Sequence, residues 1–155
     1  MTTREIYKGR VVDLRLEEVD LPNGQSVTLI RQFRHAAGGY IWEVPAGTLG
    51  PGEAPEACAR RELREETGLI ANAWTALGSI LTTPGFCDER IHLFLARELA
   101  DEVQSLDPDE VLTVTRVPMQ RALEMVRSGE IDDAKSIAAL HRAAVELGAL
   151  QAFVD

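Results

Sequence analysis

The sequence predicts a mixed α/β layered domain, and three observations carry that class. Apolar and polar residues alternate early in the chain, a charged segment bounded by proline and glycine occupies the middle, and two helical stretches close it. With 155 residues, 45% of them hydrophobic, the chain has the size of a single domain spanning 1–155 and enough apolar material for a continuous core without disulfide help.

In chain order, Val11 to Leu16 and Val27 to Ile30 alternate as strands do, and Leu21-Pro22-Asn23-Gly24 between them is a hairpin turn signal. A short N-terminal antiparallel hairpin or sheet is therefore expected. Tyr40 to Val44 is a further strand running into Pro45-Ala46-Gly47, after which the loop Thr48 to Gly52 leads to a helix with Pro55 near its start and Gly68 at its end. Ala76 to Thr82, Ile91 to Ala96 and Val111 to Val117 are strands, with the polar segment Leu99 to Glu110 between the last two. Helices follow at Met119 to Ser128 and Asp132 to Leu147, the second opening on aspartates suited to capping its free amides.

Composition excludes some classes of function. With 25 acidic against 16 basic side chains, the net charge of −9 disfavours nucleic acid, whose binding depends on cationic groups meeting phosphates. No apolar run approaches membrane-spanning length, there is no secretory leader, and Cys58 and Cys87 stand far apart, so a cytoplasmic protein is expected. An anionic substrate would need metal ions or a local arginine cluster. His35, His92 and His141 are scattered without metal-site spacing, and each cysteine suits a packed or partly exposed thiol better than a nucleophile.

The chemistry concentrates between Gly47 and Leu69. The order is Gly47, five residues, Glu53, seven residues, Arg61-Glu62-Leu63, one residue, Glu65-Glu66, one residue, Gly68-Leu69. Glu65 and Glu66 lie three and four residues beyond Glu62, which puts three carboxylates along one helical face. Like charges so placed repel unless cations occupy the cluster, and oxygen-only ligands suit Mg2+ or Mn2+. The competing reading is a solvated acidic face paired with Arg60, Arg61 and Arg64.

Those 23 residues resemble the complete signature of the Nudix hydrolase family. Seven identities at fixed spacing, each residue type making up roughly 5–7% of an average sequence, coincide at a given start with probability below about one in ten million. The flanking strands and final helices extend the resemblance less tightly over most of the chain. It implies a Nudix fold, a mixed sheet sandwiched between helices, that cleaves a pyrophosphate bond with two or three divalent ions. By that resemblance Glu62 and Glu66 are the principal metal ligands, Glu65 a further ligand with a catalytic part, and the Ala46 carbonyl a ligand from the loop. Arg61 orients a carboxylate, Glu53 braces the loop or helix, and Gly47 and Gly68 are structural, with positive φ expected at Gly68 and Leu63 a core anchor.

Substrate preference has to be sought outside the box. Leu29-Ile30-Arg31-Gln32-Phe33-Arg34-His35 followed by Trp42-Glu43-Val44-Pro45-Ala46-Gly47 is similar to the corresponding stretch of ADP-ribose pyrophosphatases. Pro84, 16 residues after Gly68, matches the proline that marks that branch, although related sugar-nucleotide hydrolases such as those for GDP-mannose carry similar versions. Arg31 and Arg34 are candidates for gripping phosphate, against surface ion pairing, and strand alternation sends them to opposite faces. Trp42 suits the core better than stacking. Glu43 and Phe86 are candidates for substrate contact, against a strand-surface role and loop anchoring respectively. Glu89 is a further candidate for the metal or substrate site, against a solvent-facing role.

The resemblance further implies a base on a loop beyond the box, and Glu110 in Asp107-Pro108-Asp109-Glu110 stands where that glutamate normally occurs, with Asp109, Asp107 and Glu102 as rivals. It also implies a homodimer, with residues 1–28 as dimerisation strands. One departure bears on that expectation. Family members usually carry a longer segment between a hairpin like Pro22-Asn23-Gly24 and a strand like Val27 to Ile30, so either the amino-terminal sheet is trimmed here or residues missing from this sequence belong near Gln25 to Val27. A nucleotide-sensing module without turnover is the alternative class, and the intact carboxylate set argues against it.

Overall fold

A computed structural model describes residues 10–21, 24–103 and 111–150. Strands β1 (Arg10–Leu21) and β2 (Gly24–Arg34) are followed by a 3-10 turn at His35–Ala37, then β3 (Gly39–Glu43) and β4 (Ala46–Thr48). Helix α1 (Pro55–Thr67) precedes β5 (Leu69–Leu81), β6 (Arg90–Asp101) and β7 (Leu112–Pro118), and the chain continues into α2 (Met119–Ser128) and α3 (Ala134–Glu146).

The strands form one seven-stranded mixed sheet. Its main order is β3-β2-β1-β6-β5, with β4 alongside β1 and β7 alongside β2. Among the described residues only β1 with β6 is parallel, and their register from Arg10 opposite Ile91 to Arg15 opposite Ala96 makes β1 the seam. Along its other edge β1 pairs first with β4 and then, from Arg15 opposite Thr28, with β2. That division puts β4 beside the start of β1. The hairpin of β1 and β2 is thus built into the main sheet.

Alternation along β6 sorts its side chains to two layers. Ile91, Leu93 and Leu95 join Val27, Leu29, Val44, Ile131 and Leu140 in the main core beneath α2 and α3. Phe94 and Ala96 face α1, which covers them with Cys58, Ala59 and Leu63. The sheet therefore lies between helices. Trp42 is half-buried against the main core.

The extents differ from the sequence reading in places. β5 begins at Leu69 rather than Ala76, because Ile70-Ala71-Asn72-Ala73 lacks strand-forming composition and becomes strand through pairing with Arg97 to Asp101. The same pairing carries β6 five residues past Ala96. Residues 46–48, read as loop, form β4 because β1 offers them a ladder. A bulge in β5 sets Leu77 and Gly78 against Leu93, with Gly78 at φ 85° and the Arg142 guanidinium donating to the Leu77 carbonyl at 2.7 Å.

Local sequence explains the ends of α1. Pro55 stands in its first turn, and Gly68 closes it at φ 65° with its N–H on the Arg64 carbonyl at 2.9 Å. Asp133 caps α3, accepting from the Ser136 N–H at 3.0 Å. Leu63 is fully buried and ties the charged helix to the sheet. Leu63→Ala should therefore lower the unfolding free energy by about 2–5 kcal/mol in a urea titration.

Candidate active site

Strand β3 ends at Glu43, and three residues later β4 opens with Ala46 and Gly47 directly against the acidic face of α1. The Ala46 N–H donates to Glu66 Oε2 at 3.1 Å, and Glu66 itself is only 2% exposed. Gly47 has to be glycine for a steric reason, since a Cβ there would overlap the Glu62 carboxylate. Backbone and carboxylates thus meet in one place.

The guanidinium of Arg61 fills the centre of that meeting point. Its Nη1 donates to Glu62 Oε1 at 2.7 Å and to Glu65 Oε2 at 2.8 Å. Nε and Nη2 reach the two Glu53 oxygens at 3.0 and 3.1 Å, and Nη2 also reaches the Thr48 carbonyl at 3.3 Å. Glu53 accepts from the Gly50 N–H at 2.8 Å, so the loop, the helix and the cluster are fastened together. The Arg61 hydrogen bond, followed by the Gly50 amide, pulls the Glu53 pKa down to about 2. Arg61 is raised above its ordinary value, chiefly by its hydrogen bond with Glu53 and with help from Glu65 and Glu62. Burial pushes the Cys58 thiol up to about 12, leaving it no thiolate character near neutrality.

A second charged group lies next to the first. Glu43, 2% exposed, accepts from Arg34 Nε at 2.8 Å and Nη2 at 3.3 Å and is ion-paired with Lys135, which is itself 6% exposed. Lys135 also meets Asp133 at 2.9 Å. Burial alone would lower the pKa of Arg34, but the Glu43 hydrogen bond and the charges of Glu43, Glu66 and Asp133 raise it.

Of the residues singled out from sequence, Ala46, Glu53, Arg61, Glu62, Glu65 and Glu66 are brought together, with Arg34 and Glu43 beside them. Arg31 is exposed and turns elsewhere, lying 5.4 Å from the Tyr40 ring centre and 5.7 Å from that of Trp42. Phe86 is 88% exposed in the 82–89 loop, with its N–H on the Thr83 carbonyl at 3.1 Å. Glu89 stands at the end of that loop, its carbonyl accepting from the Thr82 N–H at 3.3 Å. Glu110, Asp107 and Asp109 lie outside the described residues, whereas Glu102 is exposed just after β6. Lys135 and Ser136 were not singled out, although the aspartates before them pointed to that helix start.

Among the described residues, no three His, Cys, Asp and Glu side chains form a ready-made metal cage. The donor chemistry nonetheless fits a hard divalent cation. The donors are oxygen alone, Gly47 leaves room for the Glu62 carboxylate, and Glu66 is buried against the Ala46 backbone. Arg61 supplies positive charge at this cluster, so a cation would compete with it for Glu62 and Glu65.

The NUDIX domain model matches residues 19–140. The ADP-ribose pyrophosphatase of Bacillus subtilis (strain 168) is 39% identical over 160 residues, covering 88% of this chain and 86% of that protein. The GDP-mannose pyrophosphatase of Cronobacter sakazakii is 39% identical over 149 residues, covering 83% of this chain and 77% of that one. Among solved structures, an ADP compounds hydrolase superposes with a TM-score of 0.77 at 25% identity, over 90% of this chain and 74% of its own.

Two expectations follow from the geometry. Gly47→Ala should displace the Glu62 carboxylate and lower turnover by roughly 10²-fold, as misplacement near 1 Å does, with little change in thermal unfolding; unchanged kcat would contradict the packing argument. Because the pKa of Glu53 is lowered from 4.5 to about 2, its contribution to stability is present above about 4.5 and fades as pH falls toward 2. Unfolding titrations of Glu53→Gln and the parent should therefore converge across that window.

Proposed function

The chain belongs to the Nudix family, and from that premise we propose that it hydrolyses the pyrophosphate bond of a nucleoside diphosphate sugar, with ADP-ribose as substrate and AMP and ribose 5-phosphate as products. The observation that carries this reading is the meeting of Glu62 and Glu66 at the Ala46-Gly47 backbone, with Glu65 joined to Glu62 through Arg61. Similarity to the Bacillus subtilis ADP-ribose pyrophosphatase supports the choice of sugar nucleotide.

Nudix hydrolases generally require divalent metal ions, and Mg2+, or Mn2+ in its place, suits the oxygen-only donor set here, in two or three copies. The Ala46 carbonyl, Glu62, Glu65 and Glu66 would hold them, and when bound they supply neutralisation of the phosphoryl oxygens and polarisation of the attacking water. Around that centre the chain's own groups divide the work. Arg61 holds Glu62 and Glu65 in register and keeps the cluster's repulsion in check. Arg34, Arg31, Glu43 and Phe86 are the substrate-contact candidates, with Arg34 held on Glu43. Glu110 takes the proton of the attacking water as its oxygen bonds to phosphorus and the bridging P–O bond breaks.

The same reading takes residues 1–155 as one domain in a homodimer, with residues 1–28 at the two-fold axis. It takes the protein as cytoplasmic, where the free thiols Cys58 and Cys87 stay reduced. Among the described residues no helix is long and apolar enough to cross a membrane. The acidic balance speaks against nucleic acid as a partner. A second reading, GDP-mannose as substrate, is favoured by the similarity to the Cronobacter sakazakii GDP-mannose pyrophosphatase.

Product analysis with ADP-ribose, GDP-mannose, diadenosine polyphosphates and oxidised nucleoside triphosphates, with and without Mg2+, should show Mg2+-dependent release of AMP from ADP-ribose as the fastest reaction. A faster release of GMP from GDP-mannose would establish the second reading in its place. Glu66→Gln should retain the fold and lower turnover by more than the ~10–100-fold typical of groups that only support a metal ligand. Glu110→Gln should lower kcat by about 10²–10⁴-fold while leaving substrate affinity nearly unchanged, and an unaltered rate would move the base role to a neighbouring acid.

A further inference from the structure

We propose that Lys135 and Ser136, in the first turn of α3, are positioning residues that set the backbone at 43–46 and through it the Ala46 carbonyl and Glu66. This rests on Ala46, Glu62 and Glu66 being the reaction centre of the hydrolase described above. Between Glu43 at the end of β3 and Ala46 at the start of β4, the chain is held from two sides. From α1, Glu66 takes the Ala46 N–H at 3.1 Å. From α3, on the other side of the sheet, Ser136 Oγ takes the Val44 N–H at 2.9 Å and Lys135 pairs with the Glu43 carboxylate.

Every polar group in the α3 anchor has a defined task. The Ser136 hydroxyl has one proton to give, and it goes to Asp133 Oδ2, which orients the lone pair toward Val44. Asp133 also accepts the Ser136 N–H and pairs with Lys135, so the cap of α3 and the anchor of the loop are the same carboxylate. Arg34 completes the group, giving two carboxylates and two cations. Val44 and Ser136 are fully buried, and Glu43 and Lys135 nearly so.

Burying the Glu43–Lys135 ion pair is a poor route to stability compared with apolar packing, whereas it fixes geometry, because each partner accepts only a narrow range of positions. The segment it fixes is short. Val44 N and Ala46 N are two residues apart, at most about 7 Å along the chain, so a shift at Val44 passes to Ala46 without slack to absorb it. Residues 90 positions downstream of the box loop thereby govern where its carbonyl points.

The test compares Ser136→Ala, Ser136→Thr and Lys135→Gln with the parent protein. Four quantities are read: kcat, KM for ADP-ribose, Mn2+ affinity of the metal-free protein, and amide exchange at Val44 and Ala46 in that metal-free state. Ser136→Ala should lower kcat by about 10–100-fold with KM within about twofold, weaken Mn2+ binding, and accelerate exchange at Val44 and Ala46 while amides of β6 keep their rates. Ser136→Thr, which keeps the hydroxyl, should restore these values. Lys135→Gln should reproduce the loss, and it supplies the same readouts if alanine at 136 prevents folding. Unchanged exchange at Val44 and Ala46, or acceleration spread evenly over β6 and β7, would overturn the proposal by reducing both residues to ordinary core contacts. A parent protein that turns over none of the nucleotides would defeat the enzymatic reading alone, since the exchange and Mn2+ measurements do not depend on it.

Discussion

The structure turns on the contact between Arg61 and the carboxylates of its own helix and loop. Glu62, Glu65 and Glu66, spaced i, i+3 and i+4 along one helical face, repel one another, and Glu53 adds a fourth negative charge from the loop. One guanidinium joined to Glu53, Glu62 and Glu65 relieves part of that repulsion, while the buried Glu66 accepts a hydrogen bond from the Ala46 N–H. The arrangement remains strongly negative, with one guanidinium facing four carboxylates. It also holds a dense array of oxygen donors beside a backbone carbonyl, which is the requirement for a hard divalent cation. A divalent cation held by these oxygens would compete with Arg61 for them, each loosening the other.

Much of this was legible in the sequence because the information is local. Helix spacing put the three glutamates on one face, Pro55 and Gly68 marked the ends of the helix, and the apolar run Ile91 to Ala96 marked a strand. The extents of β5 and β6 were not legible, because residues 69–75 become strand only through their partner. β4 escaped for the same reason, three residues being too few to show a period. Arg31 and Arg34 separate as a strand's two faces require, Arg34 toward the carboxylates and Arg31 toward Tyr40 and Trp42. The burial of Lys135 beside Glu43 joins positions 92 apart, and no periodicity announces such a pair.

This chain is shorter than one of its relatives within the region they share. The match to the Bacillus subtilis protein extends over 160 positions, yet 88% of this chain is only about 136 residues, so about 24 positions of that relative have no counterpart here. In this chain β1 turns directly into β2. The face of β2 opposite Val27 and Leu29 carries Ser26 Oγ, Thr28 Oγ1 and Gln32 Oε1, all buried and all without a hydrogen-bond partner. Buried polar atoms are ordinarily paired, so this face of β2 is the least satisfied part of the described structure.

Titration of metal-free protein with Mn2+, followed by electron paramagnetic resonance in the parent and in a Glu62→Gln/Glu66→Gln double variant of retained fold, tests the central claim most directly. Saturable binding of at least one ion in the parent and its loss in the double variant is the expected result. Binding absent from the parent, or equally strong in both, would mean that the carboxylates serve only to hold Arg61, and the hydrolase would need another centre.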